Sequence, residues 1–214
     1  MSVTGYSDRI NHALAFAAKH HAQQVWKGSS RLPYFTYPAN VAIILTRYGQ
    51  DDDTIVAGVL HDVVGDCVRD GQTRETLQER IGTKFGPAVL DALLSISERK
   101  TDDEGVELSL EERKADLVDR LGAAGERARW VVAAGMLHSG GSLLADLRRT
   151  SYPETVWGRF AGEREEVVAT FRHTIARLGE VGFAAPIMGE LTGVVDALER
   201  LAGETADPAP RLAR

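Results

Sequence analysis

Apolar positions recur along this chain with helical rather than alternating periodicity. In "SDRINHALAFAAKHHAQQV", Ile10, Leu14, Ala17 and His21 are spaced by four, three and four residues. That spacing makes one stripe of an amphipathic helix, with Ser7 placed to cap it. The loop "WKGSSRLPYFTYP" follows. Pro38 suits the first turn of a second helix, "PANVAIILTRYG", which Gly49 ends. Asp51 to Asp53 open a third, "TIVAGVLHDVVGDC". Their charges complement a helix dipole, and consecutive acids point in different directions, which favours capping over metal binding. "TRETLQERIGTKFG" and "PAVLDALLSISERK" read as two helices parted at Gly86-Pro87, with "TDDEGVE" as a loop. Ser109 and Glu112 form a capping box before "SLEERKADLVDRLG". "ERARWVVAAGMLHSGG" is an apolar helix expected to end near Gly140 and Gly141, with "SLLADLRRT" as a further helix. "EREEVVATFRHTIARLG" and "PIMGELTGVVDALERLAG" complete the set. No strand pattern, internal repeat or linker interrupts it. The expectation is an all-α helical bundle, one domain over residues 1–201, with 202–214 as a flexible tail.

Composition narrows the function classes. At 214 residues the chain can bury a substantial core, and a 43% hydrophobic, 26% charged make-up fits an ordinary globular protein. A net charge of −6 argues against phosphate-backbone binding, so no nucleic acid partner is expected. No targeting segment or membrane-length apolar run is visible, so no membrane partner is expected either. Cys67 is alone and cannot close an internal disulfide, which fits a reducing cytoplasm. It reads as a small buried residue, with a nucleophile as the sharper alternative. Content rich in Ala, Gly, Val and Arg is compatible with a high-GC bacterial source.

The chemistry concentrates in "VLHDVVGDC", Val59 to Cys67. Asp62 and Asp66, four apart, share a helical face, and His61 lies about 100° of rotation from Asp62. Imidazole with carboxylate suits a transition metal that activates water against phosphate. Two protein ligands alone hold a divalent metal poorly, and a plain buried polar pair is the competing reading.

Four stretches in order, "HAQQVWKG", "PYFTYP", "VLHDVVGD" and "VAAGMLHS", resemble the HD superfamily. Within it they resemble alarmone hydrolases, which remove pyrophosphate from the 3′ position of guanosine tetraphosphate (ppGpp). The family reads "HAGQxRKG", "PYxxHP", "LLHDxxED" and "KxADRxHN". With "WGRFAGEREEVVATFRHTIARL", the resemblance runs from about Ala13 to Leu178. It implies an HD-domain helical bundle with a Mn²⁺ site.

The departures fall on that site. The family's first histidine ligand is Tyr37 here, and its distant aspartate ligand aligns with Gly135. His61 and Asp62 keep the central pair, so they are the only metal ligands the resemblance leaves. Gly65 replaces the water-supporting glutamate, and Asp66 keeps its neighbour. A neutral tyrosine is a poor ligand for Mn²⁺, though a phenolate could bind Fe³⁺. Changes even outside the first ligand set typically cost about 10- to 100-fold. The basic "RK" pair becomes Trp26-Lys27, and "HN" becomes His138-Ser139. Trp26 could stack on a flat ligand or pack its loop, and Lys27 could meet an anion or water. Tyr34 matches a family tyrosine at the pocket, His138 reads as a ligand contact or a core histidine, and His21 reads as structural. His12 and His20 are expected to be partly exposed, and Arg148-Arg149 to be a solvated face rather than an anion site.

Three functions compete. One is a metal-dependent ppGpp or nucleotide pyrophosphohydrolase with substitute ligands, for which Asp66 is the nearby candidate. A second is a non-catalytic module binding a nucleotide or a protein. The third is a pocket repurposed for metal-free chemistry on a small molecule, with His61, Asp62 and Asp66 moving protons. The favoured expectation is a modified pocket for a small-molecule or nucleotide ligand, lined by Trp26, Lys27, Tyr34, Tyr37, His138 and Ser139. It uses no cofactor and lacks the ancestral hydrolysis; Mn is the alternative.

Overall fold

Local capping starts several helices where the sequence places them. In the computed structural model, which describes residues 5–26, 32–68, 71–102, 104–160 and 162–204, the Ser7 side chain accepts a bond from Ile10 N at 3.2 Å. This opens α1 (Asp8–His20). Next come α2 (Thr36–Arg47), α3 (Asp52–Leu60) and α4 (Val63–Asp66). Asp51 caps α3 by accepting from Thr54 N at 2.9 Å, and Arg127 pairs with it at 2.8 Å, so the acids serve the helix start. Gly86, at φ 93°, parts α5 (Arg74–Phe85) from α6 (Pro87–Ile96). A capping box at Ser109 opens α7 (Leu110–Arg120). The remaining helices are α8 (Glu126–Arg149), α9 (Pro153–Trp157), α10 (Arg164–Glu180) and α11 (Ile187–Glu204). There is no β-sheet among the described residues, only the isolated bridges Val25–Pro33 and Thr101–Glu107. The fold is an all-α bundle. No helix among the described residues is long and apolar enough to cross a membrane. Most of the expected tail lies outside the described residues.

The buried apolar stripe of α3, from Ile55 to Leu60, sits between α1, α2 and α8. These contacts fix the end of α3, and therefore the histidine and aspartate that follow it. Two expectations are corrected. Helix α8 does not stop at Gly140 and Gly141 but runs 24 residues, absorbing "SLLADLRRT". A Cβ on Gly140 would lie 3.0 Å from Val194 Cγ1 and 3.2 Å from Phe171 Cε1, so this glycine lets α10 and α11 approach α8 closely. Packing on both sides holds the helix through it. His20 is buried, not partly exposed: its ring lies 4.3 Å from that of Phe16, and Gln72 Nε2 meets its Nδ1 at 3.1 Å. His12, Arg148 and Arg149 are exposed.

The two glycines should separate experimentally. Gly141 has nothing within 4 Å of a built Cβ. Gly141→Ala should therefore stabilise the fold by about 0.5–1 kcal/mol through helix propensity. Gly140→Leu should destabilise it by about 1–3 kcal/mol through overpacking. Urea denaturation of both variants reads the opposite signs.

Candidate functional site

Between α3 and α4 the chain turns at His61 and Asp62, so the pair stands at a helix break rather than on a continuous helix. His61 Nδ1 lies 2.8 Å from the Gly58 carbonyl. A carbonyl only accepts, so Nδ1 carries a hydrogen and donates. The other nitrogen, Nε2, lies 3.1 Å from Asp62 Oδ2 and 3.3 Å from the Tyr37 hydroxyl. A neutral ring accepts there from Tyr37; a protonated ring donates there to Asp62. Tyr34 donates to the same Asp62 oxygen at 2.5 Å. Burial, then the Asp62 charge, pushes the pKa of the Tyr34 phenol far up, which keeps it a donor.

Tyr37 comes from the first turn of α2 and reaches across to α8. Its hydroxyl lies 2.7 Å from where a Cβ on Gly135 would stand. No side chain larger than hydrogen fits at 135 while Tyr37 holds this position. Burial, then Asp62, raises the Tyr37 pKa, while a hydrogen bond from Ser139 opposes the rise. That rise favours the neutral phenol, a poor ligand for Mn²⁺. Among the described residues no group of three or more His, Cys, Asp or Glu side chains could hold a metal ion. The described residues therefore do not fit a Mn²⁺ centre.

Aromatic rings cover this network. Trp26 stacks on Tyr37 with centroids 4.7 Å apart and planes at 19°. The base of its loop is pinned by Trp26 N donating to Leu32 O at 2.8 Å and Tyr34 N donating to Gln24 O at 2.9 Å. His138 meets Trp26 and Tyr37 edge-on at 5.8 and 5.2 Å. Its Nδ1 is buried with no hydrogen-bond partner among the described residues, and burial lowers its pKa. His21 is buried, stacks near Tyr34 at 4.7 Å and meets Gln24 Oε1 at 2.5 Å, which is a structural role. Cys67 is buried with its sulfur 3.5 Å from His21 Nδ1.

A cavity of about 710 Å³ opens beside the network. Trp26, Tyr34, Asp66 and Ser139 line it, while Tyr37, His61, Asp62 and His138 stand outside its wall. Asp66 is exposed at its edge, and partial burial of the carboxyl, then Asp62 and Glu98, raise its pKa. Asp66 thus joins the cavity, and the partner of His61 is Asp62. Lys27 lies outside the described residues. Sequence reasoning missed the far wall, which includes Leu143 on α8, Phe160 after α9 and Phe171 on α10. The apolar periodicity of α10 was the available signal, but it does not distinguish a core face from a cavity face.

The HD-domain family profile matches residues 13–121. A guanosine-3′,5′-bis(diphosphate) 3′-pyrophosphohydrolase of Xenopus tropicalis is 33% identical over 142 residues, 65% of this chain and 70% of that protein. A pyrophosphohydrolase of the same description from Aquifex aeolicus is 34% identical over 84 residues, 39% of this chain. A probable GTP pyrophosphokinase of Mycobacterium leprae is 39% identical over 80 residues, 37% of this chain. The matches span only 11% and 10% of the length of the latter two proteins. A metazoan ortholog of SpoT, described as hydrolysing ppGpp, superposes with TM-score 0.65 at 22% identity, covering 94% of this chain and 98% of its own. A Listeria monocytogenes protein superposes with TM-score 0.64 at 27% identity, covering 77% of this chain and 99% of its own.

Two measurements test this geometry. Gly135→Asp should lose about 1–3 kcal/mol of stability by driving its Cβ onto the Tyr37 hydroxyl. Adding Tyr37→His should recover much of that, with a coupling of about 0.5–3 kcal/mol in a double-mutant cycle. For His138, the ordinary value is 6.5 and the folded value is lower. Below pH 6.5 the unfolded chain takes up a proton that the folded chain refuses, so stability falls as pH falls through this window. His138→Gln should reduce that loss in denaturation curves recorded at pH 7.5 and at pH 5.5.

Proposed function

The chain belongs to the HD-domain family, and we propose that it is a member whose pocket binds a small-molecule or nucleotide ligand without a divalent metal. One observation carries this reading: the Tyr37 hydroxyl occupies the space over Gly135, leaving His61 and Asp62 as the only two ligands kept from the family set. Substitute ligands would have to rescue metal hydrolysis, and Asp66, exposed at the cavity edge, completes no cluster of three donors among the described residues.

The surviving groups form a proton-handling network instead. Ser139 lines the cavity and is close enough to Tyr37 to act on its phenol, whose hydroxyl lies 3.3 Å from His61 Nε2. A proton leaving a ligand at Ser139 has a path through the phenol to the imidazole, and Asp62 stabilises the imidazolium that results. Tyr34 holds Asp62 in place by donating to it. The relatives described as pyrophosphohydrolases act on a guanine nucleotide, which makes nucleotides one ligand class to test here. The cytoplasm remains the expected compartment.

Elemental analysis of the purified chain, with a ppGpp turnover assay with and without Mn²⁺, tests the proposal. Metal well below one ion per chain and no Mn²⁺-stimulated hydrolysis are expected. One tightly held ion with rapid turnover overturns it. Once a ligand is in hand, His61→Ala should reduce turnover by about 10²–10⁴-fold if the network transfers protons. Intact ligand binding with no turnover in the wild type assigns a binding module.

A further inference from the structure

The cavity extends well past the His61–Asp62 network, and its far end has a different character. Met136 and Leu143 of α8, Val156 of α9, Phe160 and Val167, and Phe171 of α10 give it an apolar wall. Its size falls within the usual range for sites that enclose small molecules, about 300–1,000 Å³.

Each of the two acids lining it has a basic neighbour. Asp146 holds Arg159 at 2.9 Å. Lys100 is close enough to Asp66 to favour its carboxylate. Lys114 of α7 also lines the cavity, is half-buried, and has no carboxylate or hydrogen-bond partner among the described residues. A half-buried ammonium beside an apolar wall is stabilised by an anion that arrives with the ligand.

We infer that this cavity takes an anionic amphiphile, a hydrocarbon or aryl body in the α8–α9–α10 chamber with a carboxylate-type head on Lys114. This rests on the metal-free pocket proposed above and names its ligand class. Ser142, half-buried on α8 with its side chain lining the chamber, is the position from which the apolar end can be blocked.

Decanoate, decanol and ppGpp are titrated separately into the full chain by calorimetry, in chelator and in Mn²⁺. Decanoate should bind once per chain in chelator, about tenfold or more tighter than decanol, the factor expected of one charge-assisted contact. Lys114→Gln should erase the difference between decanoate and decanol. Ser142→Trp should weaken both, with circular dichroism verifying that each variant is folded. Equal affinity for the acid and the alcohol, or decanoate binding that neither substitution alters, overturns the inference. So does ppGpp binding in chelator with no decanoate binding, and that result leaves the metal-free pocket standing. Stoichiometric Mn²⁺ with ppGpp hydrolysis removes the pocket reading itself.

Discussion

The contact between the Tyr37 hydroxyl and the bare backbone of Gly135 organises the site. The two residues come from α2 and α8, helices that both pack on α3. A phenol there and a side chain at 135 exclude each other by simple overlap, at 2.7 Å. Hence the identities of residues 37 and 135 are coupled in one structural event rather than two. The Tyr37 ring fills the room that any side chain at 135 would need. Once there, it gives His61 a hydroxyl partner and Trp26 a flat surface.

Around that contact the buried polar groups satisfy one another. His61 bonds the Gly58 carbonyl on one side and faces Tyr37 and Asp62 on the other, while Tyr34 anchors Asp62. A network of this kind is rigid when complete, because each unmade bond in a low-dielectric setting is expensive. The strain shows at its margin. Asp66 holds a carboxyl that burial and neighbouring acids disfavour, and His138 buries an unpaired nitrogen. Unfavourable groups beside a cavity are what a ligand can relieve, and stability given up at such positions commonly accompanies function. Gly65 differs from Gly135: a Cβ there meets nothing within 4 Å, so the space beside it is open rather than filled.

Much of this was legible in the chain itself. Ser7, Asp51, Thr73 and Ser109 begin helices because a side-chain oxygen satisfies an amide that the helix cannot, a local matter of a few residues. Motif order identified the HD-type pocket, and residue identity alone showed that tyrosine and glycine stand where ligands are expected. Gly140 misled because a glycine pair reads locally as a stop, whereas Phe171 and Val194, more than thirty residues away in sequence, decide that the helix continues. His20 misled for the same reason, since Gln72 is what makes its burial tolerable.

The sequence by itself determined the helices, their caps, the family and the loss of ligand chemistry, because each depends on residue type and on neighbours within a turn or two. Only the tertiary structure decided that Tyr37 overlies Gly135, that His61 pairs with Asp62 while Asp66 faces the cavity, and that α8, α9 and α10 enclose an apolar chamber with Lys114 uncompensated at its wall. Those facts are distances between segments far apart in the chain. They are set by how whole helices pack, and no local pattern encodes them.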